Sequence, residues 1–243
     1  CTVQVSPEVK FQTELCLQYV DSGTLETKMA NQNTAFGLRP IGLNGAGSNT
    51  TGVTQYEIAS NNTNAIFQYS PVIPLAAGVV DIVGNANGGT VPALGVLMGV
   101  EYVDSSSKKP VFKNYWPGSN NVSVDSNHPV KAFVADNPNQ LFMVAADGSS
   151  TDRATALSNI FANCSLATAT SGSTANGRST AELDISTVAN TATLFMRVVG
   201  LTGDEANLDY DAAGVNYVVR FNFHHNAPVA ASASQTTSLS TGI

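Results

Sequence analysis

An all-β fold, a mostly antiparallel barrel or sandwich with one short helix near 151–161, follows from three features of this sequence. Apolar residues recur in short runs, several of them alternating with polar residues as a half-buried strand requires. Gly, Pro, Asn, Asp and Ser punctuate those runs at close spacing. Only 12% of the 243 residues are charged, and a single segment carries helical periodicity.

From Ala35 the pattern is strand, turn, strand. Thr54–Ala59 alternates polar and apolar, and Asn61–Asn64 reads as a turn. Ala65–Tyr69 reads as a short strand stopped by Pro71; Val72-Ile73 and Val79–Val83 follow, with Ala77-Gly78 between them. Asn85–Gly89 is a loop. Leu94–Val103 is the strongest strand, with Gly95 and Gly99 inside an apolar run, which marks a bulge or a bend in the sheet. Asp104–Pro110 is an exposed turn, and Val111–Trp116 returns as the hairpin partner before Pro117-Gly118.

Lys131–Ala135 and Gln140–Ala145 are two more strands, joined by Asp136–Asn139. Thr151–Phe161 has Thr and Asp at its start and Ala154, Leu157, Ile160 and Phe161 at helical spacing, which predicts the helix. Ser165–Thr180 reads as a Ser/Thr/Gly/Ala loop. Glu182–Ile185, Thr193–Val199 and Tyr217–Phe223 complete a set of about ten strands, a number that favours a barrel or a sandwich. No repeat of 20–50 residues is present.

Two terminal segments differ from this body. Residues 1–28 are denser in charge and hold Cys1 and Cys16. Met29 is read as the natural start, which makes 1–28 upstream translation or a partial reading frame; the alternative is a genuine N-terminal arm. Residues 29–226 form the β-rich structural domain. Residues 227–243 are rich in Ala, Ser and Thr and nearly uncharged, the composition of a tail or arm that orders on a neighbour.

Composition narrows the function classes. A net charge of −7 sets the chain against phosphate, so neither nucleic acid nor an anionic membrane surface is an expected partner. No run approaches the roughly 18 apolar residues of a spanning helix. The three cysteines are widely spaced, and Cys164 reads as a small apolar core residue.

Ionisable residues are thinly spread, and enzymes concentrate them. His224 and His225 are adjacent, so a regular strand would point them to opposite sides; His128 precedes Pro129 in a loop. With Cys164 added, no zinc-type spacing appears, and no metal ligand or cofactor is assigned. The densest acidic stretch, Gly203–Asp211, carries Asp204, Glu205, Asp209 and Asp211. It reads first as a solvated loop, and otherwise as a calcium loop or a glycosidase carboxylate pair. Gly84–Gly89 lacks the Lys-Ser/Thr of a phosphate loop. Trp116, Tyr115, Phe112 and Tyr102 cluster in sequence and read as core or interface packing before a sugar-stacking platform. No catalytic residue is assigned.

Several stretches resemble a family of virion structural proteins of tailed double-stranded DNA phages. They are Ala35–Pro40, Tyr56–Ala59, Ile66–Val72, Leu94–Tyr102 followed by Lys113–Gly118, Val134–Pro138, Gly177–Ala181 and Arg197–Gly200. In order they run from about residue 35 to 225. The resemblance implies a non-catalytic bacteriophage capsid cement or decoration protein, made in the bacterial host cytoplasm and placed on the capsid surface of the virion. Its implied partners are the major capsid protein and itself, as a homotrimer. A carbohydrate-binding or adhesion module of the tail or head fibre type is the alternative, with a glycan-acting enzyme behind it.

Overall fold

The computed structural model describes residues 31–32, 34–45, 52–89 and 91–227. Residues 1–28, read above as an upstream segment, and all of the 227–243 tail but Ala227 lie outside the described residues. Within them the chain is built from strands in two six-stranded sheets and a small two-stranded one, with a single short α-helix. Strand pairing is antiparallel throughout the ladders; parallel pairing occurs only as isolated bridges, such as Ala93 with His224.

The chain enters the first sheet, leaves to build the second in full, and returns. β1 (Arg39–Leu43) belongs to the first sheet. β2 (Thr54–Ile58), β3 (Pro71–Pro74), β4 (Val80–Ile82), β5 (Gly95–Val103), β6 (Pro110–Lys113) and β7 (Val130–Ala135) form the second, in the order β2-β7-β5-β3-β4, with β6 also on β5. β8 (Gln140–Ala145) then pairs directly with β1. After the helix α1 (Arg153–Ser158) come β9 (Asn163–Ala167), the hairpin β10 (Gly172–Ser173) and β11 (Arg178–Ser179), β12 (Glu182–Ala189), β13 (Met196–Leu201) and β14 (Asn216–Phe221). The first sheet runs β1-β8-β14-β13-β9-β12.

Each sheet curls over its own core without closing into a barrel. In the first, the bridge from Ala146 to Leu183 brings β12 back towards the end of β8. Phe142, Phe195, Phe221, Leu183, Tyr217 and Val219 fill that curl. The second curl holds Leu97, Val72, Ile66, Val134 and Trp116. The two cores share a wall, because side chains alternate along a strand. On β5, Val96 faces the first core and Leu97 the second; on β3, Ile73 and Val72 divide the same way.

Of the two glycines in the strongest strand, Gly99 lies at a bulge as expected, and Gly95 has a different role. Opposite β7, the register shifts between Leu97 and Gly99, so Met98 is the extra residue of a bulge. Gly95 allows a close approach: a Cβ there would lie 2.2 Å from the Ala135 carbonyl oxygen.

Several elements depart from the sequence reading. Ala65–Tyr69 is not a strand; Ile66 and Gln68 make single bridges to Trp116 and Arg178, and Tyr69 turns the chain with φ 70°. The loop expected over 165–180 contains most of β9 and the β10–β11 hairpin. β7 and β8 stand where the sequence placed them, and the short 136–139 link carries the chain from one sheet to the other. The helix expected over 151–161 ends at Ser158. Its N-cap is Asp152, which accepts the Thr155 N–H at 2.7 Å. Its end is set by tertiary pairing, because the Phe161 N–H donates to the Val198 carbonyl while Val198 donates to Ala162. That backbone pairing overrides the helical spacing. Phe161 is left 80% exposed with φ 73°, and Leu157 39% exposed.

Candidate functional site

The acidic stretch is an ordered loop whose first carboxylate is engaged. Asp204 caps the 3₁₀ turn Glu205–Asn207: one oxygen accepts from the Ala206 N–H, and the other from the amides of Asn207 at 2.6 Å and Asn216 at 3.3 Å. Asn31 ties the loop to the start of the described chain. Its amide donates to the Asp209 and Ala213 carbonyls at 2.7 and 3.0 Å, and its side-chain oxygen accepts the Asp209 N–H. The Gln32 N–H donates to Asn207 in turn.

This tie brings Gln32, Thr34, Phe36 and Arg39 against the outer face of the first sheet, around a half-open cavity of about 360 Å³. Arg39, Arg178, Asp204, Asn207, Asn216 and Tyr69 bring polar groups to its lining, and Phe36 and Met143 add apolar wall. Of the four carboxylates singled out in the sequence, only Asp204 lines it. Among the described residues the lining therefore holds one carboxylate and not the pair a glycosidase needs. Sequence reading missed both arginines, since Arg39, Tyr69 and Arg178 are far apart in the chain and nothing local links them.

The backbone under the cavity is closely packed. The Leu38 N–H donates to the Tyr69 carbonyl, the Gln68 N–H to Gly177, and the Ser179 N–H to Gln68. Gly37 has φ 78°, and a Cβ on it would come within 2.7 Å of Ser179 and 2.8 Å of the Tyr69 oxygen. Tyr69 itself has φ 70°, a region a bulky residue rarely enters unless its surroundings hold it there.

The histidines and the buried cysteine separate. His128 sits 3.5 Å from the Asp125 carboxylate, which also meets Lys108 at 3.0 Å. The Asn127 N–H and then Lys108 hold Asp125 below the usual carboxylate range. His224 is 2% exposed beside the Phe221 ring; burial pushes its pKa down to about 4 against the pull of Asp136. The Asp136 carboxylate takes hydrogen bonds from Thr54 at 2.9 Å and Tyr56 at 2.6 Å. Burial first, and that bond second, push the Tyr56 phenol up to about 12. Cys164 is fully buried in the first core, and burial pushes its thiol up to about 12, so it packs as an apolar residue. Among the described residues no three His, Cys, Asp or Glu side chains converge as a metal site, and no helix is long and apolar enough to cross a membrane.

The aromatic cluster is mostly core. Trp116 is fully buried, donates its indole N–H to the Asn62 carbonyl at 3.1 Å and meets Tyr102 edge-on. Tyr115 stacks on Phe67. A sugar-stacking platform on Trp116 and Tyr102 is thus absent. Phe112 is the exception, at 70% exposure on β6, where it pairs across the ladder with Glu101.

Comparison of the chain with protein-family models, with curated proteins and with solved structures found no match.

Proposed function

We propose that this chain is a non-catalytic structural protein of a phage virion, a capsid cement or decoration protein that bridges and stabilises major capsid subunits as a homotrimer. The observation that carries the reading is Phe161. It is 80% exposed, and its φ of 73° is fixed by the backbone bonds of residues 161 and 162 to Val198. A large apolar side chain held out in water on constrained backbone gains nothing in the isolated chain. It gains about 1.5–3 kcal/mol when a partner covers it. Phe112 adds a second exposed ring on the other sheet. A particle-bound protein needs several such contacts, because repeated weak contacts on a symmetric shell sum to firm attachment.

The resemblance to phage virion proteins supplies the partner, and the buried Trp116 weighs against the carbohydrate-binding alternative. The test is co-sedimentation of the chain with particles of the major capsid protein of the same phage. Migration with the particles at fixed stoichiometry, lost on Phe161→Ser, supports the reading, and the ratio identifies the symmetry site. A chain that stays at the top of the gradient overturns it.

A further inference from the structure

Two arginines line the cavity beside the 203–211 loop, in a chain whose net charge is −7. Among the described residues neither Arg39 nor Arg178 is paired with a carboxylate. Asp204 shares the cavity, but its oxygens are occupied by the Ala206 N–H and the Asn207 and Asn216 amides. The arginines come from separate segments, Arg39 at the start of β1 and Arg178 at the start of β11, and each adjoins a residue hydrogen-bonded to the 68–69 turn. That packed backbone fixes the points from which both side chains, exposed in the free chain, reach the cavity.

We propose that this cavity binds the carboxylate of an acidic peptide side chain, gripped by Arg39 and Arg178. A guanidinium presents a planar fork of donors that matches a carboxylate, and two forks satisfy both of its oxygens. The fixed negative charge of Asp204 in the same lining disfavours a doubly charged phosphate relative to a singly charged carboxylate. Phe36 and Met143 provide apolar wall for the methylenes of a Glu side chain, and a cavity of about 360 Å³ takes one such side chain with adjoining backbone. The inference stands on the cavity alone, so particle co-sedimentation and the experiment below fail independently.

Methionine-methyl ¹³C NMR on the full chain tests it, because Met143 lines the cavity while Met196 is fully buried in the first core. The probes are the amides of N-acetylglutamate and N-acetylglutamine, and inorganic phosphate. Saturable movement of the Met143 signal is expected with the glutamate probe, with Met196 unmoved. Arg39→Gln and Arg178→Gln should each weaken that response about tenfold, and Arg39→Lys less, since it keeps the charge and loses the fork. Arg153→Gln, in α1 and outside the cavity lining, should leave it unchanged. An unchanged Met196 signal in each variant shows that its core is folded. An unresponsive Met143, or an equal response to the glutamine probe, overturns the proposal. A tighter response to phosphate overturns the carboxylate assignment.

Discussion

The two cores of this molecule are built from different kinds of sequence. The second sheet is assembled from one continuous stretch, Thr54–Ala135, and its core gathers around Leu97 and Trp116. The first sheet takes β1 from residues 39–43 and everything else from beyond residue 139, so its β1–β8 pair closes over the whole of the second sheet. Local pairings can form early and independently. A pair separated by about a hundred residues must first meet the loop-closure cost. Yet the cores are not separate bodies, because neighbouring residues of β3 and β5 face opposite ways into both.

The sharpest way to break this comparison is to empty one core and watch the other. Phe142→Ala removes a fully buried ring that packs edge-on against Phe221 in the first core, and should cost about 3–5 kcal/mol. Leu97→Ala does the same in the second, at about 2–5 kcal/mol. Trp116 is the single tryptophan and lies in the second core. If the shared wall couples the cores, Phe142→Ala shifts the urea midpoint of Trp116 fluorescence and of far-UV circular dichroism together. A fluorescence midpoint left in place while the dichroism midpoint falls would show two independent units.

A second perturbation acts where the regions join. His224 lies just past β14 and bridges to Ala93, just before β5. It is buried neutral, with Asp136 and His225 as its charged or titratable neighbours. Its folded pKa of about 4 lies below the ordinary 6.5, so the unfolded chain binds more protons between those values. Its contribution is therefore full above about pH 6.5 and is lost as the pH falls towards about 4, by about 3 kcal/mol. Carboxylates titrate in part of that window. The readout is thus the difference between wild type and His224→Gln in urea unfolding at about pH 7.5 and about pH 4.5. The wild type should lose the larger share, and equal losses would remove His224 from the account.

The same contrast explains what was legible in the sequence. β2, β5 and β7 read directly from alternation and apolar content, and Gly99 announced the bulge beside it, because these strands carry enough apolar residues of their own to record which positions face inward. β9 (Asn-Cys-Ser-Leu-Ala) did not, since its outward residues are small and polar and only Cys164 and Leu166 face the core. β1, with Pro and Gly in five residues, is a strand only because β8 pairs with it. The arginine cavity was illegible for the same reason: it forms where residues 39, 69 and 178 meet, and no local pattern records that meeting. Phe161 misled more directly. Its helical spacing from Leu157 is real, but Val198 of β13, just beyond the β9 pairing, offers backbone hydrogen bonds that a longer helix would forgo.

Phe161 also supplies the smallest and most discriminating expected effect. A phenylalanine at φ 73° carries a left-handed penalty of roughly 1–2 kcal/mol, which glycine avoids. Glycine's greater freedom in the unfolded chain returns part of that gain. With the ring 80% exposed, little packing is lost, so Phe161→Gly should stabilise the isolated chain by about 0.5–1 kcal/mol. The same change should weaken attachment to a particle, because the protruding ring is gone. A residue kept for folding would show the opposite pattern, with stability falling on substitution. Higher urea resistance together with poorer co-sedimentation would thus separate a contact residue from a structural one, and a stability loss above about 1 kcal/mol would return Phe161 to the fold.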